Sequence, residues 1–493
     1  MSQTQLVLAA CAAYVVLLLI LGGLGRRAMS RPTLAEFFLA DRGLGFLVLL
    51  LTLFATQYSG NSMSAFPGKT YRAGLSYIMS VTFMSGIVSG YLLFAPQLVH
   101  RARRRHYVTP SDFLTDRFKS PSLSLVGSVI FVVTLCNFLL AQLMAMGHAF
   151  SGLTEGAVPY WAGVVGGASL ILIYELLGGM RAVAWTDAVQ GFILAAGLIL
   201  VLGLLVVEVG SPAEIVARIG TLAPDKIANP SLSTCTAWLS TFVLLGMGAP
   251  LYPQAIQRLY AARRVDELRR ALAIMAWIPL FAISTVVFIG AVGIVLFPNL
   301  EPVESDKVTF LVLARLVEIQ PLATLPVVAV MMAVVAAIMS TADSALLSAT
   351  SIFTKDFMAR GRTLDEKDEA RLLRAAPLFS IGLLVLLGAI ALAPRFTLWR
   401  LLEIKFEILI QMSPAFILGT LHEHDDEPGA FKARHILLGL GAGSILALGL
   451  YAVGLQTVAG VHAGTLGVLL NYLVVLAART ADRSGSKLAP QPS

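Results

Sequence analysis

The chain has 493 residues, 57% of them hydrophobic and only 13% charged, with a mean hydropathy of +0.80, where a soluble protein carries roughly 25% charged residues. That balance excludes a soluble globular protein, and the scatter of 42 glycines and 22 prolines among long apolar runs excludes collagen-like, disulfide-framed and disordered chains. The net charge of +7 is spread over short loops and forms no basic surface of the kind a nucleic acid needs, so the partners expected are a lipid bilayer and small solutes.

A helix needs about 20 apolar residues to cross roughly 30 Å of hydrocarbon, and the sequence predicts an all-α polytopic protein of about thirteen spans. In chain order they fall near 6–24, 43–68, 74–98, 121–150, 159–178, 182–207, 233–256, 270–297, 322–355, 375–393, 398–420, 435–455 and 460–478. Residues 1–5 carry no Lys or Arg while Arg26, Arg27 and Arg31 follow the first span, which predicts a retained helix with its N-terminus outside. Taking alternate loops from there, the cytoplasmic ones hold 27 of the 36 Lys and Arg, and the positive-inside rule then places the C-terminus in the cytoplasm of a cell (inner) membrane. The runs Arg101 to Arg105, Arg263-Arg264 and Arg269-Arg270 read as topology signals of this kind. His422 to Glu427 read as a solvated acidic loop, and Cys11, Cys136 and Cys235 as buried free thiols without metal-ligand spacing.

Two spans are interrupted. Ala55-Thr56-Gln57-Tyr58-Ser59-Gly60-Asn61-Ser62 breaks the second with polar and helix-weakening residues, and Gly246-Met247-Gly248-Ala249-Pro250, followed by Pro253, breaks the seventh. Backbone groups freed inside a bilayer must line a cavity. Because the two lie five spans apart, spans 2–6 and 7–11 would enter the membrane from opposite sides, the inverted repeat that marks secondary transporters. The expected units are a first helix in 1–30, a first repeat in 36–207, a second in 233–420, two accessory helices in 430–480 and a tail in 481–493. Gln57, Ser59, Gly60 and Gly246 to Gly248 are the expected substrate site. Asn137 and Gln142 either join it or hydrogen-bond between helices.

In the ninth span Ala337, Ser340, Thr341 and Ser344 stand at i, i+3, i+4 and i+7, on one helical face. Two hydroxyls with carbonyls of an unwound helix suit a hard monovalent cation; the same stripe also suits close helix packing. At 1.5 Å per residue, Ala55 lies roughly 18 Å into its span and Ser344 roughly 16 Å from Lys355, so the two elements can meet near mid-membrane. Asp187 and Asp343 are the carboxylates placed to bind a second cation or a proton, the alternatives being a neutral Asp343 and an Asp187 paired with Arg181. Glu175, Glu403, Lys405 and Glu407 read as interfacial or mutually paired, with Glu407 the candidate gate.

Several stretches together resemble the sodium:solute symporter family over most of the chain, from Glu36 to about Gly419. They are Phe37 to Gly45, Gly178-Gly179-Met180-Arg181-Ala182 with Trp185-Thr186-Asp187, Gln257-Arg258-Leu259-Tyr260-Ala261-Ala262, and Met339 to Ser344 running on to Lys355-Asp356-Phe357. The resemblance implies a leucine-transporter-like core of two inverted five-helix repeats and sodium-driven uptake by alternating access. It implies a sodium site made by the carbonyls of Ala55, Tyr58 and Ala337 and the hydroxyls of Ser340 and Thr341. An additional sodium in some members would fall at Asp187, Asp343 and Ser344, where Asp343 departs from the family's hydroxyl. Gln57 departs from the aspartate of the proline-carrying branch. Ala336 to Thr341 and Gln411 to Pro414 are most similar to the pantothenate-carrying branch, which implies a carboxylate-bearing solute.

The expected function is therefore sodium-coupled import of a small carboxylate-bearing solute by a non-enzyme. The rivals are a proline or amino-acid symporter, a sensor that keeps the transporter fold, an intramembrane enzyme, for which no nucleophile and base lie at matching depth, and a channel, whose flux would not saturate.

Overall fold

The structure, a computed structural model, describes residues 3–29, 33–154, 156–359, 365–393, 397–422 and 430–488. Among these residues ten helices are long and apolar enough to cross a membrane. Three further crossings are interrupted or short: the second span, the stretch Tyr160–Ile173, and the eleventh span. The described residues thus form an all-α bundle in which these thirteen segments are the crossings, with a small hairpin, Thr457–Val458 against Val461–His462, between the last two. Most of the acidic loop at 422–427 and the end of the tail at 489–493 lie outside the described residues.

The breaks follow from local chemistry. In the second span the helix Phe46–Gln57 ends at Tyr58, whose φ of −100° and ψ of 86° leave the helical region, and the chain resumes through a wide turn over Asn61–Ala65 into Phe66–Ala73. Ser59 and Gly60 are weak helix formers at that point. The seventh span runs as Leu232–Gly248, a tight turn over Ala249–Leu251, and Pro253–Ala261. Pro250 and Pro253 each lack the amide hydrogen that would carry the helix through. Leu398–Leu409 likewise gives way to a tight turn over Ile410–Met412 and the short helix Ser413–Ile417.

The fifth and sixth spans form one helical run, Tyr160–Glu208, folded at Gly179. Gly179 has φ +54°, and a Cβ there would lie 2.5 Å from the Phe37 carbonyl oxygen, so the conformation and the space both require glycine. The near ends of the two broken spans are tied together on the side of the membrane that carries the arginine clusters. Leu44 donates its N–H to Ala261 O at 3.1 Å, and Arg263 N–H returns to Leu44 O at 2.8 Å.

Two expectations change here. Cys235 is exposed on the outer surface of its span, and Cys11 and Cys136 are half-buried, because an apolar run has a lipid face as well as a core face. Glu175, read from the sequence as interfacial or paired, is buried within the protein.

Candidate functional site

The broken second span and the ninth span, Thr324–Ile352, meet deep in the bundle. The Ser340 hydroxyl donates to Ala55 O at 3.2 Å and Ala337 O at 3.1 Å, and the Thr341 hydroxyl to the same two oxygens at 3.5 and 3.1 Å. Both side chains are fully buried. Ala55 lies in the last turn before the break, where a helix leaves carbonyls without intrahelical partners. The result is a knot of four neutral oxygens with no charged group in it. Tyr58 follows directly, its ring 4.9 Å from that of Phe54 and its hydroxyl buried without a partner.

One turn further along the ninth span a second cluster is ionic. Arg258, in the helix after the seventh-span break, is wholly buried and sets Nη2 2.5 Å from Asp187 Oδ2. Its Nε donates to the Thr52 hydroxyl at 2.8 Å, its Nη1 to Gln254 O at 3.0 Å, and its Nη2 also to the Ser344 hydroxyl. Thr52 Oγ1 donates to Asp187 Oδ2 at 2.5 Å. Ser344 joins the clusters, since its hydroxyl donates to Ser340 O at 2.5 Å and to Asp343 Oδ1 at 3.1 Å. Arg181 pairs instead with Glu36 at 2.8 Å. Asp187, Asp343 and Ser344 are therefore together, as the sequence expects, but a guanidinium is among them. Sequence reasoning missed Arg258 because it was counted with the basic loop; the signal available was the proline-started, strongly two-faced segment Pro253–Ala261, whose residues are all buried.

Beside these clusters lies a cavity of about 50 Å³, room for a few waters at most. Thr56, Gln57, Ser59 and Ser62 of the broken second span line it, with Leu245, Ala249 and Tyr252 of the seventh and Lys405 of the eleventh. Gln57 and Ser59 are where the sequence puts them. The other expected substrate residues are not on the cavity wall. Gly60 is packed against Ile338, and its N–H is held by Gln142 Oε1 at 3.1 Å, so Gln142 braces the break. Gly246 lies against Gly86, with Gly90 pressed close to its carbonyl, and Gly248 faces Phe406; neither these nor Met247 and Asn137 line the cavity. The glycines of the seventh span allow helices to approach closely, and the wall is made by their neighbours a residue or a turn away.

Aromatic rings close the cavity on the side away from the arginine clusters: Trp399 stands 5.6 Å from Phe66 and 5.4 Å from Tyr77. Above them Arg72 pairs with Asp306 at 3.1 Å, and Asp306 Oδ2 accepts the Leu398 N–H at 2.7 Å. Burial pushes the Asp306 carboxyl above its ordinary range, against the pull of Arg72. Glu407 is not among the residues that line the described cavities. It ties the eleventh span to the hairpin through His462 at 3.3 Å and to the last helix through the Gly464 N–H.

The family model described as "Sodium:solute symporter family" matches residues 37–437. The chain belongs to the sodium:solute symporter family. Sodium is accordingly the co-transported ion. This symporter is 29% identical over 328 residues to the high-affinity proline transporter PutP of Bacillus subtilis, covering 66% of this chain and 68% of that one. It is 26% identical to the sodium/pantothenate symporter of Escherichia coli over 94% of both chains. A Na+-coupled sialic acid symporter in its substrate-bound outward-open state shares the fold, with a TM-score of 0.76 at 16% identity over 97% of this chain and 98% of that one. The symporter therefore has the leucine-transporter-like core of two inverted five-helix repeats.

Proposed function

We propose that the protein imports a small carboxylate-bearing solute together with sodium by alternating access, with the N-terminus outside and the arginine-rich loops in the cytoplasm. The repeats are assigned to 36–207 and 233–420, with the helices at 1–30 and 430–480 accessory to them. Sodium binds at the carbonyls of Ala55, Tyr58 and Ala337 and the hydroxyls of Ser340 and Thr341. The observation that carries this reading is the pair of buried hydroxyls aimed at the same two carbonyls across the break in the second span. Neutral oxygens hold a monovalent cation without a fixed counter-charge, so the ion can leave again.

Coupling follows from the chain order. Ala55 and Tyr58 bracket Thr56 and Gln57, which line the cavity, so sodium orders the same unwound segment that the solute touches and each ligand raises the affinity of the other. At the neighbouring position of Asp187, Asp343 and Ser344, the Arg258 guanidinium supplies the cationic charge in this conformation; a second sodium or a proton would share those oxygens with it. Similarity to the pantothenate-carrying relative supports a carboxylate on the solute, and Gln57 sets the cavity apart from the proline-carrying branch.

The test is thermal unfolding of the purified protein in sodium chloride against equal choline chloride. A ligand that binds the native state stabilises it by about 2.7 kcal/mol at one hundred times its dissociation constant. Sodium-specific stabilisation that disappears in the Ser340→Ala/Thr341→Ala variant is the expected result; equal stability in both salts would remove the proposed site.

A further inference from the structure

The eleventh span carries a lysine, Lys405, that the sequence groups with Glu403 and Glu407 and that the structure separates from both. Lys405 is buried and lines the cavity with Leu402 and Phe406. Its ammonium lies 3.5 Å from the centroid of Phe138, 5.2 Å from that of Tyr252 and 5.5 Å from that of Phe406. Phe138 and Tyr252 are themselves stacked, 4.9 Å apart and nearly parallel. Aromatic faces stabilise a cation without neutralising it. Among the described residues Lys405 has no hydrogen bond and no carboxylate partner.

Helix geometry explains why. At about 100° per residue, positions 402, 405, 406 and 409 share one face, while 403 and 407 turn away. Glu403 is spent on the Trp399 indole N–H at 2.6 Å and on Arg400 at 3.2 Å, and Glu407 on His462 and Gly464. No Asp or Glu lines the cavity. The central space thus presents a lysine amine and, among the residues that line it, no carboxylate.

We infer that Lys405 is the anchor for the substrate's carboxylate and selects monocarboxylate anions over zwitterionic amino acids. The inference rests on the sodium-coupled reading above and specifies its solute. A carboxylate entering the cavity supplies the counter-charge that the fold withholds, and a buried charge gains most from the partner it lacks. The ammonium of an amino acid would find no carboxylate there and would face Lys405, so discrimination comes from repulsion as well as attraction. The remaining walls are apolar and aromatic apart from the hydroxyls and amide of Thr56, Gln57, Ser59 and Ser62. The cavity holds only a few waters in this conformation, so it must widen to admit a solute, and these walls then favour a body that is mainly apolar with a few hydroxyl or amide groups.

The experiment is calorimetric and thermal-shift binding on the full-length purified protein in sodium chloride, with propionate, lactate and pantothenate, the primary amide of each, and L-proline. Carboxylates are expected to bind more tightly than their amides and than proline by on the order of 100-fold, the scale of a buried charge partner. Lys405→Met keeps the packing against the rings, and should lose that factor for carboxylates while leaving amide binding and stabilisation by sodium alone as they are. Carboxylate binding unchanged in Lys405→Met overturns the inference. So does proline outranking every carboxylate, or wild-type protein binding amides as well as acids, a comparison that needs no variant. No binding of any acid in the set overturns it too. Carboxylate binding that needs Lys405 but is the same in choline would retain the anchor and discard the sodium-coupled reading.

Discussion

The ninth span presents two polar clusters one helical turn apart, built on opposite electrical plans. The hydrogen bonds of Ser340 and Thr341 join hydroxyls to carbonyls at the break in the second span. Around Ser344 there is a buried ion pair, Arg258 with Asp187, braced by Thr52. A neutral oxygen cage costs little when empty and fits a charge that comes and goes. A buried ion pair is permanent, because removing either member strands the other. The contrast teaches that the oxygens around Ser340 and Thr341 carry no charge of their own while the neighbouring cluster holds a cationic charge tethered to the chain, and that Ser344, bonded to Ser340 O and touched by Arg258, joins the two.

The comparison breaks first at the ionic side. Arg258→Met or Asp187→Leu alone should destabilise the protein by about 3–5 kcal/mol, with most of that recovered when the two are combined, as read by unfolding in detergent. In Arg258→Met, sodium should stabilise more steeply than in wild type as it takes the vacated place. A double variant as unstable as the worse single one would show that the pair is not a self-contained unit. Next is the neutral cage: Ser340→Ala with Thr341→Ala should weaken sodium affinity by at least about tenfold, one tenfold step being 1.4 kcal/mol, while stability in choline changes little. Gly60→Ala tests whether that cage depends on the shape of the break. Its Cβ would sit 2.6 Å from Ile338 and 2.8 Å from Gln142, and overpacking of that kind costs about 1–3 kcal/mol, here with a parallel loss of sodium affinity. An unchanged sodium response would detach the cage from the break. The smallest effect is expected from Asp343→Ser, which leaves both Arg258–Asp187 and the Ser340/Thr341 hydroxyls in place: the pH profile of uptake should shift while sodium affinity changes by less than about a factor of three, on the order of 0.6 kcal/mol. An unaltered profile would end its role as a proton ligand.

Much of this was legible in the sequence. The thirteen apolar runs, the polar interruption at 55–62, the proline-bearing interruption at 246–253 and the hydroxyl stripe of the ninth span are local patterns, and the bilayer leaves few ways to satisfy them. The meeting of Ala55 with Ser340 and Thr341 followed from depth counted along two helices. Gly60 and Gly246 to Gly248 lie off the cavity wall, a placement the sequence does not give, because glycine serves equally for an open backbone and for close helix packing, and the one-dimensional pattern is the same for both. Glu407 and Lys405 were grouped by their nearness in sequence, whereas they occupy different faces of one helix.

By itself, then, the chain determined which segments cross the membrane, where helices must break, and which side chains share a helical face, since propensity, period and hydrophobic length act within a segment. Only the tertiary structure decided what each face meets: that Arg258 turns inward onto Asp187 rather than outward with the basic loop, that Arg181 goes to Glu36, and that Lys405 lines the cavity against the rings of Phe138, Tyr252 and Phe406. Partners of a buried charge are chosen by the packing of distant segments and by the cost of leaving that charge alone, and neither is written in the order of residues along one helix.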